Sequence, residues 1–344
     1  MDTPGDAVKD TIKKLVEAYG PSGNEDRVRD LIRDEIHGAV DEIRVDPLGN
    51  LIAMRRGSGG SGGAKLLVAA HMDEIGVIVT YIEDSGFLRF SNVGGVSPFT
   101  LIGQRVMFAN GTVGTFGREK LDDLKDLKLD KMFIDIGAKD KAEAESRVKV
   151  GDVACFYREM TDIGGKLIAK SMDDRAGCAV VVETIKRTKG LETPNEVYFV
   201  FTVQEEVGLR GAKTAAYGVN PDIGIAVDLT LTGDTPEAPR MAVKLGAGPA
   251  IKVKDMSVVA HPKVKNLMVE TASAAGIPYQ LEILDFGGTD AGSIHTTREG
   301  IPSGVLSIPA RYVHTPSEMV DIGDVEGAIK LLAAIVKRPL AGAV

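Results

Sequence analysis

The sequence has no tryptophan, and phenylalanine with tyrosine brings the aromatic share to only 5%. Extended sugar sites press aromatic faces against the rings they hold, so a carbohydrate-processing role begins without its usual material. Cysteine is nearly absent as well. Cys155 and Cys178 are far apart in sequence, each inside an apolar run, which suggests neither a disulfide framework nor a CxxC metal site and fits a reducing cytosol. No stretch approaches the ~18 uninterrupted apolar residues of a membrane span. The opening MDTPGDAVKD is charged and lacks the apolar centre of a leader. The expectation is a cytoplasmic protein, neither secreted nor membrane-bound. Concentrated positive charge is also missing: the formal net charge is −8 with lysine and arginine spread along the chain, which argues against a nucleic-acid partner.

Apolar material is plentiful, at 44% of 344 residues, and this length exceeds what one compact core usually fills, so two domains are expected. DTIKKLVEAYG places Ile12, Leu15, Val16 and Tyr19 at helical spacing before Gly20-Pro21 stops the helix. A second helix is expected from about Asn24 to His37, capped by Ser22 or Asn24, followed by a hairpin around Pro47 to Asn50. After the tract Gly57 to Gly63, KLLVAAHMD reads as a buried central strand. From about Glu74 to Lys166 the texture changes to short alternating segments with glycine every eight to twelve residues, the pattern of a small β-barrel or sandwich. REKLDDLKDLKLDKMF interrupts it as a short solvated helix or loop. Helices and strands alternate again after Lys170, with EVYFVFTVQEE, IGIAVDLT, YQLEILDF and SGVLSIPA as strands and VEGAIKLLAAIVKR as an amphipathic closing helix. The expected fold class is α/β: a layered α/β domain from residues 1–73 and 167–344, interrupted by a β-rich insertion at 74–166.

Polar residues gather where open α/β sheets place their ligands, at the carboxyl ends of apolar strands. They are His71 with Asp73, Glu205 with Glu206, Asp228, and His314, joined by Asp173-Asp174 just before a helix. A strand-end histidine alone is more often a satisfied core or turn residue, and adjacent glutamates are usually solvated. Position raises the odds here, because VYFVFTV is too apolar to run over a surface. Two imidazoles with at least three carboxylates suit a borderline ion such as zinc or cobalt, whereas calcium or magnesium favours oxygen alone. A carboxylate two residues after a ligating histidine, as in AHMD, can hold that ring in one tautomer.

AAHMDEIG, KSMDDRAGC, VQEEVGLRGA, AVDLT, FGGTDAG and SIPARYVHTPSEM resemble, in order and spacing, the motifs of the tetrahedral aminopeptidases, also called the glutamyl aminopeptidase or cellulase M-like family of dinuclear metallopeptidases. The resemblance runs from YGPSGNE to the terminal helix. It implies that two divalent ions are bound, with Asp173 bridging them, His71 and Asp228 completing one shell, and Glu206 and His314 the other. It further implies Glu205 as general base and Asp73 as the partner of His71. The implied fold is a phosphorylase/hydrolase-like α/β catalytic domain carrying a β-barrel dimerisation domain, with dimers assembling into a hollow dodecamer and peptides as substrates.

GSGGSG fits the dinucleotide fingerprint only formally, since the next segment, KLLVAA, is a strand rather than a helix. Gly288, Thr289 and Asp290 are expected either to shape a substrate wall or to form a turn capped by Thr289 or Asp290. Lys244 reads as a surface residue more readily than as a partner for an acidic substrate, and His37, His261 and His295 lack a ligand context. Two rivals to the peptidase reading are a glycosidase and a metal-stabilised scaffold without turnover. Adjacent strand residues such as Glu205 and Glu206 do not straddle a bond at the ~5 Å or ~6.5 to 9.5 Å that glycosidases use.

Overall fold

The computed structural model describes residues 4–59 and 63–343, so Gly60 to Gly62 of the glycine tract lie outside the described residues. The strand Lys65–His71 shows why its sequence carries no polar alternation. Leu66, Val68 and Ala70 enter the apolar layer on one face of the sheet, while Leu67 and Ala69 enter the layer on the other. The Glu196–Thr202 strand does the same, with Val197, Phe199 and Phe201 on one side and Val200 on the other. Strands covered on both faces read as continuous apolar runs.

Among the described residues the main sheet has 11 strands and a parallel centre, in which Lys65–His71 lies between Glu196–Thr202 and Ile223–Leu231, and Ser303–Arg311 follows. The Glu42–Val45 and Leu51–Arg55 hairpin forms one edge. Ala250–Lys254 pairs antiparallel with Ser303–Arg311 and carries Gln280–Ile283 on its outer side. Helices Pro4–Glu17, Asp26–Ile36, Met172–Arg187, Pro262–Ala274 and Ile322–Lys337 supply residues to the core on one face. Arg210–Val219 and Ala291–Ile294 cover the other.

Between the Lys65–His71 strand and this sheet's return, six strands from Gly76 to Phe156 close into a barrel around their own core, which includes Val77, Phe90, Val106, Phe116 and Ile134. The chain then rejoins the main sheet through Thr161–Asp162 and Lys166–Ala169, the latter pairing with Glu318–Asp321. The molecule is thus an α/β protein with a closed barrel set into it.

Three local expectations change. The second helix begins at Asp26, its N-cap is Glu25, and no side chain caps it. Ser22 is unavailable for that role because its hydroxyl donates to the buried Asp73 carboxylate at 2.6 Å. REKLDDLKDLKLDKMF contains two short 3-10 turns, and its last residues, Met132 and Phe133, begin a barrel strand. Among the described residues no helix is long and apolar enough to cross a membrane.

Candidate metal centre

The parallel registers bring the site residues to one level. His71 closes its strand opposite Thr202, and the chain beyond Thr202 turns through Gln204, in a left-handed conformation, into Glu205 and Glu206. Asp228 lies inside its strand, not at the end, but pairing with the His71 strand stops at Ala226 opposite Ala69. Its carboxylate therefore opens onto the crevice beside His71. Asp173 opens the Met172–Arg187 helix with non-helical dihedrals. His314 follows the Ser303–Arg311 strand, held at a φ of 62°.

Asp173 stands at the centre. His71 Nε2 is 3.1 Å from one of its carboxylate oxygens, and His314 Nε2 is 3.5 Å from the other. His314 Nε2 is also 3.2 Å from Glu206, while His71 Nε2 lies 3.9 Å from Glu205 and 4.0 Å from Asp228. All five residues, with Glu205, line one cleft of about 540 Å³. Ligand atoms of His71, Asp173 and Glu206, and of His71, Asp174 and Asp228, lie close enough to hold an ion between them.

The electrostatics are those of a site short of positive charge. Burial, together with neighbouring carboxylates, pushes Glu205, Glu206 and Asp228 above the usual carboxylate range. Burial acts on Asp173 in the same sense, but its bonds to His314 and His71 outweigh that effect and hold it low. Burial works against protonation of the two imidazoles, yet the surrounding carboxylates hold both well above the ordinary histidine value, His314 at about 12. Glu206 Oε1 is buried without a hydrogen-bond partner. Buried carboxylates in this number need cations to ionise together, and a set of imidazole and carboxylate donors fits divalent ions.

A family model described as M42 glutamyl aminopeptidase matches residues 49–331, most of the chain. The chain belongs to the M42 glutamyl aminopeptidase family. It is accordingly a hydrolase that acts on peptides. A protein of Acetivibrio thermocellus, named only as a candidate aminopeptidase, is 59% identical over 94% of this chain and 96% of its own. The structure of an aminopeptidase from the archaeon Desulfurococcus kamchatkensis superposes with a TM-score of 0.93 at 40% identity, covering 97% of this chain and 95% of that one. The TET1 peptidase of Pyrococcus horikoshii, described as able to assemble into a tetrahedron or a large octahedral shell, superposes with a TM-score of 0.86 at 34% identity, covering 96% and 99%.

Around the M42 centre, Asp73 makes more connections than its spacing from His71 suggested. Its carboxylate is 3.5 Å from His71 Nδ1, which lies nearer, at 3.2 Å, to the Asp73 backbone carbonyl. The same carboxylate accepts from the backbone N–H of Glu205 at 3.0 Å and of Glu206 at 3.2 Å. One side chain thus ties the His71 strand to the glutamate loop. Glu318 makes a similar tie that sequence reasoning missed, accepting from the N–H of Asp173 at 2.9 Å and of His314 at 2.7 Å. Burial and the neighbouring Asp173 push Glu318 up to about 8. Its only sequence signal was membership in YVHTPSEM.

Two further supports were also missed. Glu74, Lys170 and Arg175 form a buried ionic cluster in which Lys170 Nζ is 2.7 Å from Glu74, and Arg175 donates to the carbonyls of Met72 and Leu15. It pins the chain between His71 and Asp73. The barrel reaches the centre as well, for a Cβ at Gly95 would lie 2.5 Å from His314 Nδ1, and one at Gly94 would lie 3.2 Å from the Cβ of Glu206. Only glycine backbone can approach that closely.

Gly288 lines the cleft, whereas Thr289 and Asp290 are buried and absent from its lining. Neither caps the following helix through its side chain. Asp290 instead accepts from Thr202 at 2.5 Å. Lys244 is exposed and away from the cleft, and His37, His261 and His295 stand apart from it. The lysine that does line it is Lys252.

Proposed function

We propose that this M42 chain removes N-terminal residues from peptides at a centre of two divalent ions, zinc or cobalt. Asp173 would bridge the ions, with His71 and Asp228 completing one shell and Glu206 and His314 the other. The observation that carries this reading is the two-sided approach to Asp173, one imidazole facing each of its oxygens. Such ions, when bound, supply the Lewis acidity that activates a water and polarises a carbonyl.

The chain's own residues manage the protons. Glu205 is half-buried beside His71 at 3.9 Å, and its backbone is fixed by Asp73, so its carboxylate is held inside the cleft. It accepts the proton of the attacking water and returns it to the departing amine. Burial raises its affinity for a proton, moving it toward the range useful at neutral pH. Asp73 orients His71 and the glutamate loop together, and Gly288 forms part of the substrate wall, with Thr289 and Asp290 behind it. Metal analysis of the active enzyme should approach two ions per chain, with activity lost to a chelator. A fully active protein carrying one ion would overturn the bridged arrangement.

We assign the insertion, residues 74–166, to dimerisation, with dimers joining into a dodecamer. The assembling TET1 relative supports this. Sedimentation as a monomer would refute it. The free, buried Cys155 and Cys178 fit a cytoplasmic location, which cell fractionation tests.

A further inference from the structure

We infer that the cleft selects an uncharged, apolar N-terminal side chain and rejects an acidic one, because the single lysine lining it is already neutralised from behind. This rests on the aminopeptidase reading above and names the substrate for it. The family is described by a glutamyl preference, and a glutamyl side chain needs a free cation. Among the described residues, Lys252 is the only lysine or arginine that lines the cleft.

Strand registers decide what that lysine can do. Lys252 and Glu282 are paired neighbours on parallel strands, and Thr230 lies two residues beyond Asp228 on its own strand. Lys252 Nζ is 2.5 Å from Glu282 Oε1 and 3.3 Å from Asp255, and Thr230 donates its hydroxyl to the same Glu282 oxygen at 2.8 Å. Lys252, Glu282 and Asp255 are all at least 98% buried. The group therefore holds one positive and two negative charges. Glu282 Oε2 already lacks a hydrogen-bond partner. Drawing Lys252 toward a substrate carboxylate would strip Glu282 of its cation, and an unpaired buried charge is costly.

Away from the metal-site residues, the lining of the cleft is largely apolar, supplied by Leu209, Leu229, Leu231, Leu284, Phe286 and Val313. A cationic side chain gains little either, since neither Glu282 nor Asp255 lines the cleft and both are already paired with Lys252.

The test is a panel of leucyl, methionyl, lysyl and glutamyl 4-nitroanilides with the metal-loaded full chain. Leucyl or methionyl should lead, and kcat/KM for leucyl should exceed that for glutamyl by about 10²-fold, the order expected when a polar group is left unpaired in a built pocket. Glu282→Gln, which removes the nearer of the two carboxylates holding Lys252 and leaves only Asp255, should cut that ratio at least about tenfold through a gain with the glutamyl substrate. Glutamyl turnover within tenfold of leucyl, or lysyl above leucyl, overturns the inference. A folded Glu282→Gln enzyme with an unmoved ratio overturns it also. If that variant does not fold, the wild-type panel decides alone. Silence on all four substrates with metal bound would remove the aminopeptidase reading itself, and this inference with it.

Discussion

Glu205 and Glu206 are chemically identical neighbours to which the proposed mechanism gives different work, so isosteric amides should make them fail differently. Glu205→Gln keeps the side chain's size and leaves its backbone bond to Asp73 intact. It removes only basicity. A positioned general base is worth about 10² to 10⁴ in rate, so kcat should fall by that factor, equivalent to ~2.7 to 5.4 kcal/mol at ~1.36 kcal/mol per decade. KM and metal content should move little. Glu206 has one oxygen 3.2 Å from His314 Nε2 and another buried without a partner. Glu206→Gln takes an anion from that position and should weaken one ion's binding by at least the ~10- to 100-fold that follows loss of a mere supporting partner. Excess metal should then restore part of the rate. Steady-state kinetics on leucyl 4-nitroanilide, with metal content measured on the same preparations, separates the two. If Glu205→Gln loses metal while Glu206→Gln keeps it and loses turnover, the roles are exchanged. If both variants remain active, the centre is wrong.

Glu74→Gln should destabilise the fold by about 3 to 5 kcal/mol, because it leaves Lys170 and Arg175 buried without their carboxylate; a urea midpoint within error of wild type would contradict this. Gly95→Ala places a methyl against the His314 ring, and loss of one of two bound ions with the overall fold preserved is the expected outcome. Unchanged metal content would show that the barrel turn is not a wall of the site. The Arg311 guanidinium, 2.7 and 3.0 Å from Asp234, holds that carboxyl below the usual range. A folded value below the unfolded ~3.9 gives stabilisation that is complete above about pH 5 and lost as pH falls through the unfolded value toward the folded one. Arg311→Met should therefore flatten the acid limb of the stability curve between about pH 4.5 and pH 2.5, by under ~1 kcal/mol given partial exposure. An equally steep limb in the variant would refute the pair.

Much of the architecture was legible because burial on both faces leaves a record in composition. LLVAAH and VYFVFT are uninterrupted because each alternate residue meets a different apolar layer, and the change to short, glycine-spaced segments marked the barrel. His71, Glu205, Glu206, Asp228 and His314 stood out as polar residues ending or following such runs. What the sequence could not state is which distant groups share a carboxylate. Ser22 looked like a helix cap until the fold set it 2.6 Å from Asp73, and nothing local singled out Glu318 until its two oxygens met the N–H groups of Asp173 and His314. Lys244 and Lys252 are indistinguishable by type, but Lys244 lies in a loop whereas Lys252 lies in a strand whose register sets it against Glu282 and in the cleft. Gly94 and Gly95 read as another barrel turn, because a close approach between domains leaves no local pattern. Periodicity and burial are properties of a segment and are written in it, whereas charge pairing and clearance are properties of pairs remote in the chain, and these only the tertiary structure decided.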